Sequence, residues 1–329
     1  MRASKIVSFS IVILLITILF TGAVTVPAAA QSDMMMFRYN AQHTGDYSPV
    51  AGNNTSKGLL TWSFTTGNTV FSSPAVVNGV IYVGSYDNNV YAINATTGAK
   101  LWSFTTGNYV LSSPAVVNGV VYVGSDDNNT YAINATTGAK LWSFTTGNYV
   151  LSSPAVANGV VYVGSDDNNT YALNATTGAK LWNYTTGNAV LSSPAVVNGT
   201  VYVGSYDSNI YALNATTGTK LWNYTTGGDV YSSPAVANGT VYVGSSDNNV
   251  YALNATTGKV TWSFTTGDYV LSSPAVSNGE VYVGSVDGNI YAIGNAAAAT
   301  SQGTTPGFDV ILAFFGLVIA AYVVRRRRS

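Results

Sequence analysis

The sequence predicts an all-β fold, and three observations carry the prediction. Only 8% of the 329 residues are charged, while 47% are hydrophobic and 12% aromatic, which disfavours long surface helices built on Glu and Lys. The 33 Gly, with abundant Asn and Thr, suit short strands joined by tight turns. The third observation is a repeat. All six Trp fall 40 residues apart, at Trp62, Trp102, Trp142, Trp182, Trp222 and Trp262, and Pro74 to Pro274 and Tyr82 to Tyr282 keep the same spacing without an insertion.

The two ends read as addresses. Arg2 and Lys5 precede the apolar run Ile6 to Phe20, and Ala28-Ala29-Ala30 offers a cleavage point, so residues 1–30 are expected to be a signal peptide. The other reading is an uncleaved N-terminal anchor; both export the body. Residues 31–59 form a leader. Residues 295–307 are a polar linker ending in Pro306-Gly307, and residues 308–329 hold an apolar run to Val324 followed by Arg325 to Arg328. Such a run is long enough to cross a bilayer as a transmembrane helix, with its Arg cluster on the cytoplasmic side.

Residues 60–294 hold the repeats. In the copy around Trp102, four segments suit strands: Leu101 to Thr105, Ser112 to Val117, Val120 to Ser125 and Thr130 to Asn134. Asn118-Gly119 between the second and third is a strong hairpin signal, because both residues tolerate positive φ, and Asp-Asn-Asn makes another polar turn. Four antiparallel strands every 40 residues is the period of a propeller blade. The array starts with a Trp strand, Leu60 to Thr65, and its last copy stops at Ile293 without one. The N-terminal strand is therefore expected to complete the last blade, closing six four-stranded blades. The alternative is seven blades, with a degenerate one from Asp33 to Gly58.

Charge and composition exclude several functions. Between Gln31 and Phe308 there are seven basic and thirteen acidic residues, so the body has no basic footprint for nucleic acid. With no Cys and one His, His43, disulfides, thiolate metal sites and His clusters are ruled out. His43 itself is read as a packing or capping residue.

The motif Tyr91-Ala92-Ile93-Asn94-Ala95-Thr96-Thr97-Gly98-Ala99-Lys100-Leu101-Trp102 resembles the tryptophan-docking repeat of PQQ-like β-propellers, and the leader from Phe37 to Gly45 is similar to the segment that often precedes it. The resemblance covers roughly Phe37 to Ile293. It implies that each Trp packs between neighbouring blades and that glycines, here Gly98, Gly138, Gly178, Gly218 and Gly258, let the chains approach closely, which gives these residues a docking role. The family includes quinoprotein dehydrogenases, which bind pyrroloquinoline quinone and calcium, and the bacterial outer-membrane assembly lipoprotein. The C-terminal order of Pro306, Gly307 and Phe308, an apolar span and an Arg cluster closely resembles the PGF-CTERM sorting signal of archaeal surface proteins. That resemblance implies processing by an archaeosortase, with a lipid anchor replacing the tail; the alternative is a permanent single-span anchor.

An enzyme needs a unique base and unique ligands, and nearly identical copies argue against one. Only Glu280, Asp229 and Asp268 stand out among the acids. The recurring Asp87, Asp127, Asp167, Asp207, Asp247 and Asp287 are weak metal candidates, because turn Asp residues also bond their own backbone. No catalytic residue, quinone or calcium is therefore expected. Tyr109, Tyr149 and Tyr269, with Phe71 and Tyr231, follow the Thr-Thr-Gly turn and are candidates for a rim that contacts protein or glycan; packing between blades is the equal alternative. Asn-x-Ser/Thr sequons stand at Asn53, Asn54, Asn94, Asn128, Asn134, Asn168, Asn174, Asn183, Asn198, Asn214, Asn223, Asn238 and Asn254. A few are expected to carry glycan. The expectation is a non-catalytic, surface-anchored binding or scaffold module whose partners are surface proteins or glycans. The alternatives are a quinoprotein-like oxidoreductase and an envelope-assembly factor that captures extended strands.

Overall fold

The computed structural model describes Asn40 and residues 60–294, so the signal peptide, His43, Asn53, Asn54, the PGF tripeptide and the C-terminal span lie outside the described residues. The described residues hold strands and turns and no helix. The first blade is β1 (Ala75–Val77), β2 (Val80–Gly84), β3 (Asn89–Asn94) and β4 (Lys100–Thr105). The second is β5 (Ala115–Val117), β6 (Val120–Gly124), β7 (Asn129–Asn134) and β8 (Lys140–Thr145). The third comprises β9 (Ala155–Ala157), β10 (Val160–Gly164), β11 (Asn169–Asn174) and β12 (Lys180–Thr185), and the fourth β13 (Ala195–Val197), β14 (Thr200–Gly204), β15 (Asn209–Asn214) and β16 (Lys220–Thr225). In the fifth are β17 (Ala235–Ala237), β18 (Thr240–Gly244), β19 (Asn249–Asn254) and β20 (Val260–Thr265), and in the sixth β21 (Ala275–Ser277), β22 (Glu280–Gly284) and β23 (Ile290–Ile293). All are antiparallel meanders in chain order.

One expectation needs correction. The innermost strand starts at Ala115, not Ser112, because side chains take over its pairing. Pro114 has no N–H to give, the Ser112 hydroxyl accepts the Gly124 N–H at 3.0 Å, and the Ser113 hydroxyl accepts the Ser73 N–H of the blade before at 2.9 Å. Such serine links run from blade to blade as far as Ser233 to Ser273. The expected closure is not among the pairings present. Residues 60–65 form no strand, and the sixth sheet has three strands, so the described residues hold five four-stranded sheets and one three-stranded sheet. Every pairing that forms joins strands adjacent in sequence, whereas the missing one would join opposite ends of the array, the step with the largest loop-closure cost.

Register explains how the blades stack. Ala115 faces Tyr122, Tyr122 faces Ala132 and Ala132 faces Trp142, so small and large side chains alternate across one sheet face. A bulge between Ala132 and Ile133 then shifts the outer strand. Trp102 of the first blade lies over the second, its indole N–H donating to the Ala135 carbonyl at 2.9 Å, and Tyr82 donates to the same oxygen at 3.2 Å. Gly138 makes room for that ring. Its φ is +74°, and a Cβ there would lie 2.9 Å from the indole. The same dock recurs at Trp142, Trp182 and Trp222, and Trp62 makes it on the first blade, donating to Ala95 at 3.0 Å.

Candidate functional site

Antiparallel meanders put two kinds of connection at opposite ends of each blade. The Asn-Gly hairpins and the Asn-Ala-Thr-Thr-Gly turns share one end. At the other lie the Asp-bearing turns between second and third strands and the connections from each outer strand to the next blade.

The Asp residues are structural knots. In the third blade, Asp167 Oδ2 accepts the Gly147 N–H at 2.6 Å and the Tyr171 hydroxyl at 2.7 Å. Its Oδ1 accepts the Asn169 N–H at 3.0 Å and the Asn169 Nδ2 at 3.1 Å. Asp87, Asp127, Asp207 and Asp247 repeat all four bonds, and Asp287 repeats three of them. One carboxylate thus ties its own turn, its own third strand and the incoming outer strand together. Burial works against the charge of Asp87 and Asp247, but the bonds from tyrosine, glycine and asparagine outweigh it and hold both below the usual carboxylate range. At Asp287 the Tyr291 bond leads, and the carboxyl drops to about 2. Burial and then the Asp87 bond push the Tyr91 hydroxyl up to about 12. A carboxylate whose lone pairs already face N–H and O–H donors does not offer a calcium ion the six to eight free oxygens it takes, so these residues do not fit the calcium of a quinoprotein. Among the described residues no group of three or more His, Cys, Asp or Glu side chains is placed to hold a metal.

The three acids that depart from the repeat are not brought together. Asp229 and Asp268 lie on successive outer-to-inner connections, the Asp268 Oδ1 accepting the Tyr269 N–H at 2.8 Å. Glu280 begins β22 at the opposite end and accepts a hydrogen bond from Tyr282, which lifts that hydroxyl to about 12.

The Asp-turn end holds what the sequence reading missed. Two positions vary most between copies: Thr69, Tyr109, Tyr149, Ala189, Asp229 and Tyr269 at one, and Tyr86, Asp126, Asp166, Tyr206, Ser246 and Val286 at the other. The structure joins them, since in each blade the second residue's N–H donates to the first residue's carbonyl at 2.9 Å. No pair carries two tyrosines; the pair without any, Asp229 and Ser246, has Tyr231 beside it. Every blade therefore brings an aromatic ring to this end, from different backbone positions. Tyr86 stacks on Tyr109 at 3.8 Å and meets Phe71 edge-on at 5.3 Å, while Tyr206, buried, lies under Tyr231 at 3.9 Å. Tyr269 is 46% exposed, and Tyr109, Tyr149 and Tyr231 are half-buried. The predicted aromatic set is thus both packing and surface. Column-by-column comparison of the copies was the signal that would have found Tyr86 and Tyr206.

The PQQ_2 family, described as outer membrane protein assembly factor BamB, matches residues 48–154, 148–231 and 225–301. The chain belongs to this family. The PGF-CTERM motif matches residues 305–327, so the protein is exported, anchored at its C-terminus on the cell surface and directed to an archaeosortase. No curated protein matches the chain in sequence. Among solved structures, BamB from Moraxella catarrhalis is similar at 20% identity and a TM-score of 0.50, covering 70% of this chain and 87% of that one. A europium-containing methanol dehydrogenase is similar at 19% identity and a TM-score of 0.63, over 72% of this chain and 58% of that one. The quinohemoprotein alcohol dehydrogenase ADHIIG from Pseudomonas putida HK5 is similar at 20% identity and a TM-score of 0.66, over 79% and 57%. The chain thus spans little more than half the length of either dehydrogenase. These likenesses are of fold, and that fold is the β-propeller.

Proposed function

We propose that this surface-anchored propeller is a non-catalytic binding module, which engages a glycan or protein of the cell surface through the Asp-turn end of its blades. The observation that carries the reading is the concentration of differences between otherwise near-identical copies at that end, where aromatic rings gather and Tyr109, Tyr149, Tyr231 and Tyr269 reach the surface. Flat rings gain contact area at little cost in side-chain entropy, and neighbouring Asn and Asp side chains supply polar contacts. Engagement by several blades at once would add avidity. The scattered Asp229, Asp268 and Glu280 and the hydrogen-bonded turn carboxylates support a role without a quinone, a metal or catalysis.

The ring is proposed to close as read from the sequence, by residues 60–65 pairing with the outer edge of β23. Support comes from Trp62, already docked on the first blade as Trp102 is on the second, and from Val70 and Ile290. Both are partly exposed, 40% and 45%, while their counterparts in the other copies are fully buried.

Binding of purified surface polysaccharides and surface proteins to the whole protein tests the main reading. A Tyr109→Ser, Tyr149→Ser, Tyr269→Ser variant is expected to weaken binding at least tenfold, and Leu141→Ser with Leu181→Ser, on the outer strands, to leave it unchanged. Equal affinity in both variants would sink the reading. A thermal melt with calcium and pyrroloquinoline quinone tests the enzyme alternative. A quinone-dependent stabilisation of about 2.7 kcal/mol at one hundred times Kd would revive the oxidoreductase.

A further inference from the structure

The blades sort the sequons by accessibility, and the sorting singles out two. At Asn128 and Asn168 the sequon threonines, Thr130 and Thr170, are wholly buried in β7 and β11. At Asn183 and Asn223 the side-chain nitrogen already donates, to the Asn169 and Asn209 Oδ1 atoms at 3.0 Å. In the Asn-Ala-Thr-Thr-Gly turns the carboxamide is pinned. Asn134 Oδ1 accepts the N–H groups of Thr136 and Thr137, both at 2.9 Å, and Asn94, Asn174, Asn214 and Asn254 do the same in their blades.

Asn198 and Asn238 differ from all of these. Each heads a hairpin tip, is exposed, and makes no side-chain hydrogen bond within the described residues. The glycine that follows stands in open space, since a Cβ on Gly199 or Gly239 would meet nothing within 4 Å. The other hairpins act as internal controls. Asn78, Asn118, Asn158 and Asn278 make the same turn, with φ of +50° or +51° against +49° at Asn198 and Asn238, but they are followed two residues on by Val80, Val120, Val160 and Glu280. Only Thr200 and Thr240 turn a shared hairpin into an acceptor sequence. Asn198, Thr200 and Asn238 also border one groove of about 500 Å³ between the fourth and fifth blades, lined as well by Tyr202 and Leu221.

We propose that Asn198 and Asn238 are the N-glycan acceptors of the propeller, modified after export. The chemistry is transfer from a lipid-phosphate-linked oligosaccharide. The Asn Nδ2 bonds to the anomeric carbon of the first sugar, the bond from that carbon to the phosphate oxygen breaks, the lipid phosphate leaves with the electron pair, and Nδ2 gives up one proton. Two glycans rooted at the hairpin end of the fourth and fifth blades would supply solubility that the sparse charge does not, and would leave the opposite, aromatic end uncovered.

Intact-mass and glycopeptide mass spectrometry of the full protein, taken from the surface of a cell that exports and glycosylates it, tests this directly. Asn198→Gln and Asn238→Gln are each expected to remove one glycan mass. Thr200→Val and Thr240→Val are expected to do the same while leaving Asn in place and restoring the residue of the first three blades, so the melting temperature should move by no more than a few degrees. Unmodified Asn198 and Asn238 peptides in the wild type would overturn the proposal. So would an unchanged glycan mass in the double Thr→Val variant, or glycan on the pinned Asn94, Asn134 or Asn174 instead.

Discussion

The junction between the fifth and sixth blades and the seam between the sixth and the first place equivalent aliphatic positions in two environments. At the junction, Val250, Val270 and Val283 form one cluster with 0 to 1% exposure. The corresponding residues at the seam are Ile290, Val70 and Val83, and there Ile290 is 45% and Val70 40% exposed. A repeat stabilises its neighbour, not itself, so an end copy with an unpaired flank contributes less than a middle one. What a side chain is worth here follows from whether another blade covers it.

The sharpest way to separate the two regions is to remove a docking tryptophan. Trp142→Ala, in the array's interior, is expected to cost about 3–5 kcal/mol in urea unfolding, and Trp62→Ala, half-buried at the first blade, less than half of that. Equal losses would mean that the end copies are as well packed as the middle ones. Next in size, Ile210→Ala should cost about 2–4 kcal/mol. The proposed closure predicts a similar loss for Ile290→Ala, and a loss near zero would show the seam open. Asp167→Ala leaves the Gly147 N–H and the Tyr171 hydroxyl without their shared acceptor, for about 1–3 kcal/mol. The same change at Asp287, at the exposed end, should shift the melting temperature less.

Titration gives a smaller, global effect. Folded carboxylates held below their ordinary value, as at Asp87, Asp247 and Asp287, contribute stability that is complete above that value and fades as pH falls toward 2. Tyrosines raised to about 12, as at Tyr91 and Tyr282, contribute stability that is complete below their ordinary pKa near 10 and is lost as pH rises through 12. The melting temperature should therefore be flat from about pH 5 to pH 9 and fall on both sides, with tyrosinate absorbance rising as the alkaline limb drops. A steady slope between pH 5 and 9 would contradict the assignment. Least affected should be Leu181→Lys. Leu181 is 52% exposed on β12, and the change is expected to stay within about 0.5 kcal/mol in the same unfolding assay.

Much of this was legible because the repeat reports its own geometry. A residue that recurs every 40 positions without exception, such as the Trp or the turn Asp, is held by a contact that every blade makes, and the Asn-Gly hairpins lie where the sequence reading expected them. Less was legible where one position's meaning depends on another blade. Nothing near Ser113 announces that its hydroxyl replaces a strand bond of the preceding blade, and nothing near Tyr86 announces that it stacks on Tyr109. Similarly, thirteen sequons look alike in one dimension, yet Thr130 is buried and Thr200 begins an open hairpin.

By itself the sequence determined the strand periods, the turn types, the blade count in the array and the export and anchoring signals, because each depends on residues close together in the chain. Tertiary structure decided which carboxylates are spent on hydrogen bonds, which aromatics form the diversified end, which asparagines stand clear and how the seam differs from the interior. Those outcomes depend on groups that meet only after the chain has folded, when a neighbouring blade supplies or withholds the atom that satisfies a bond or covers an apolar flank.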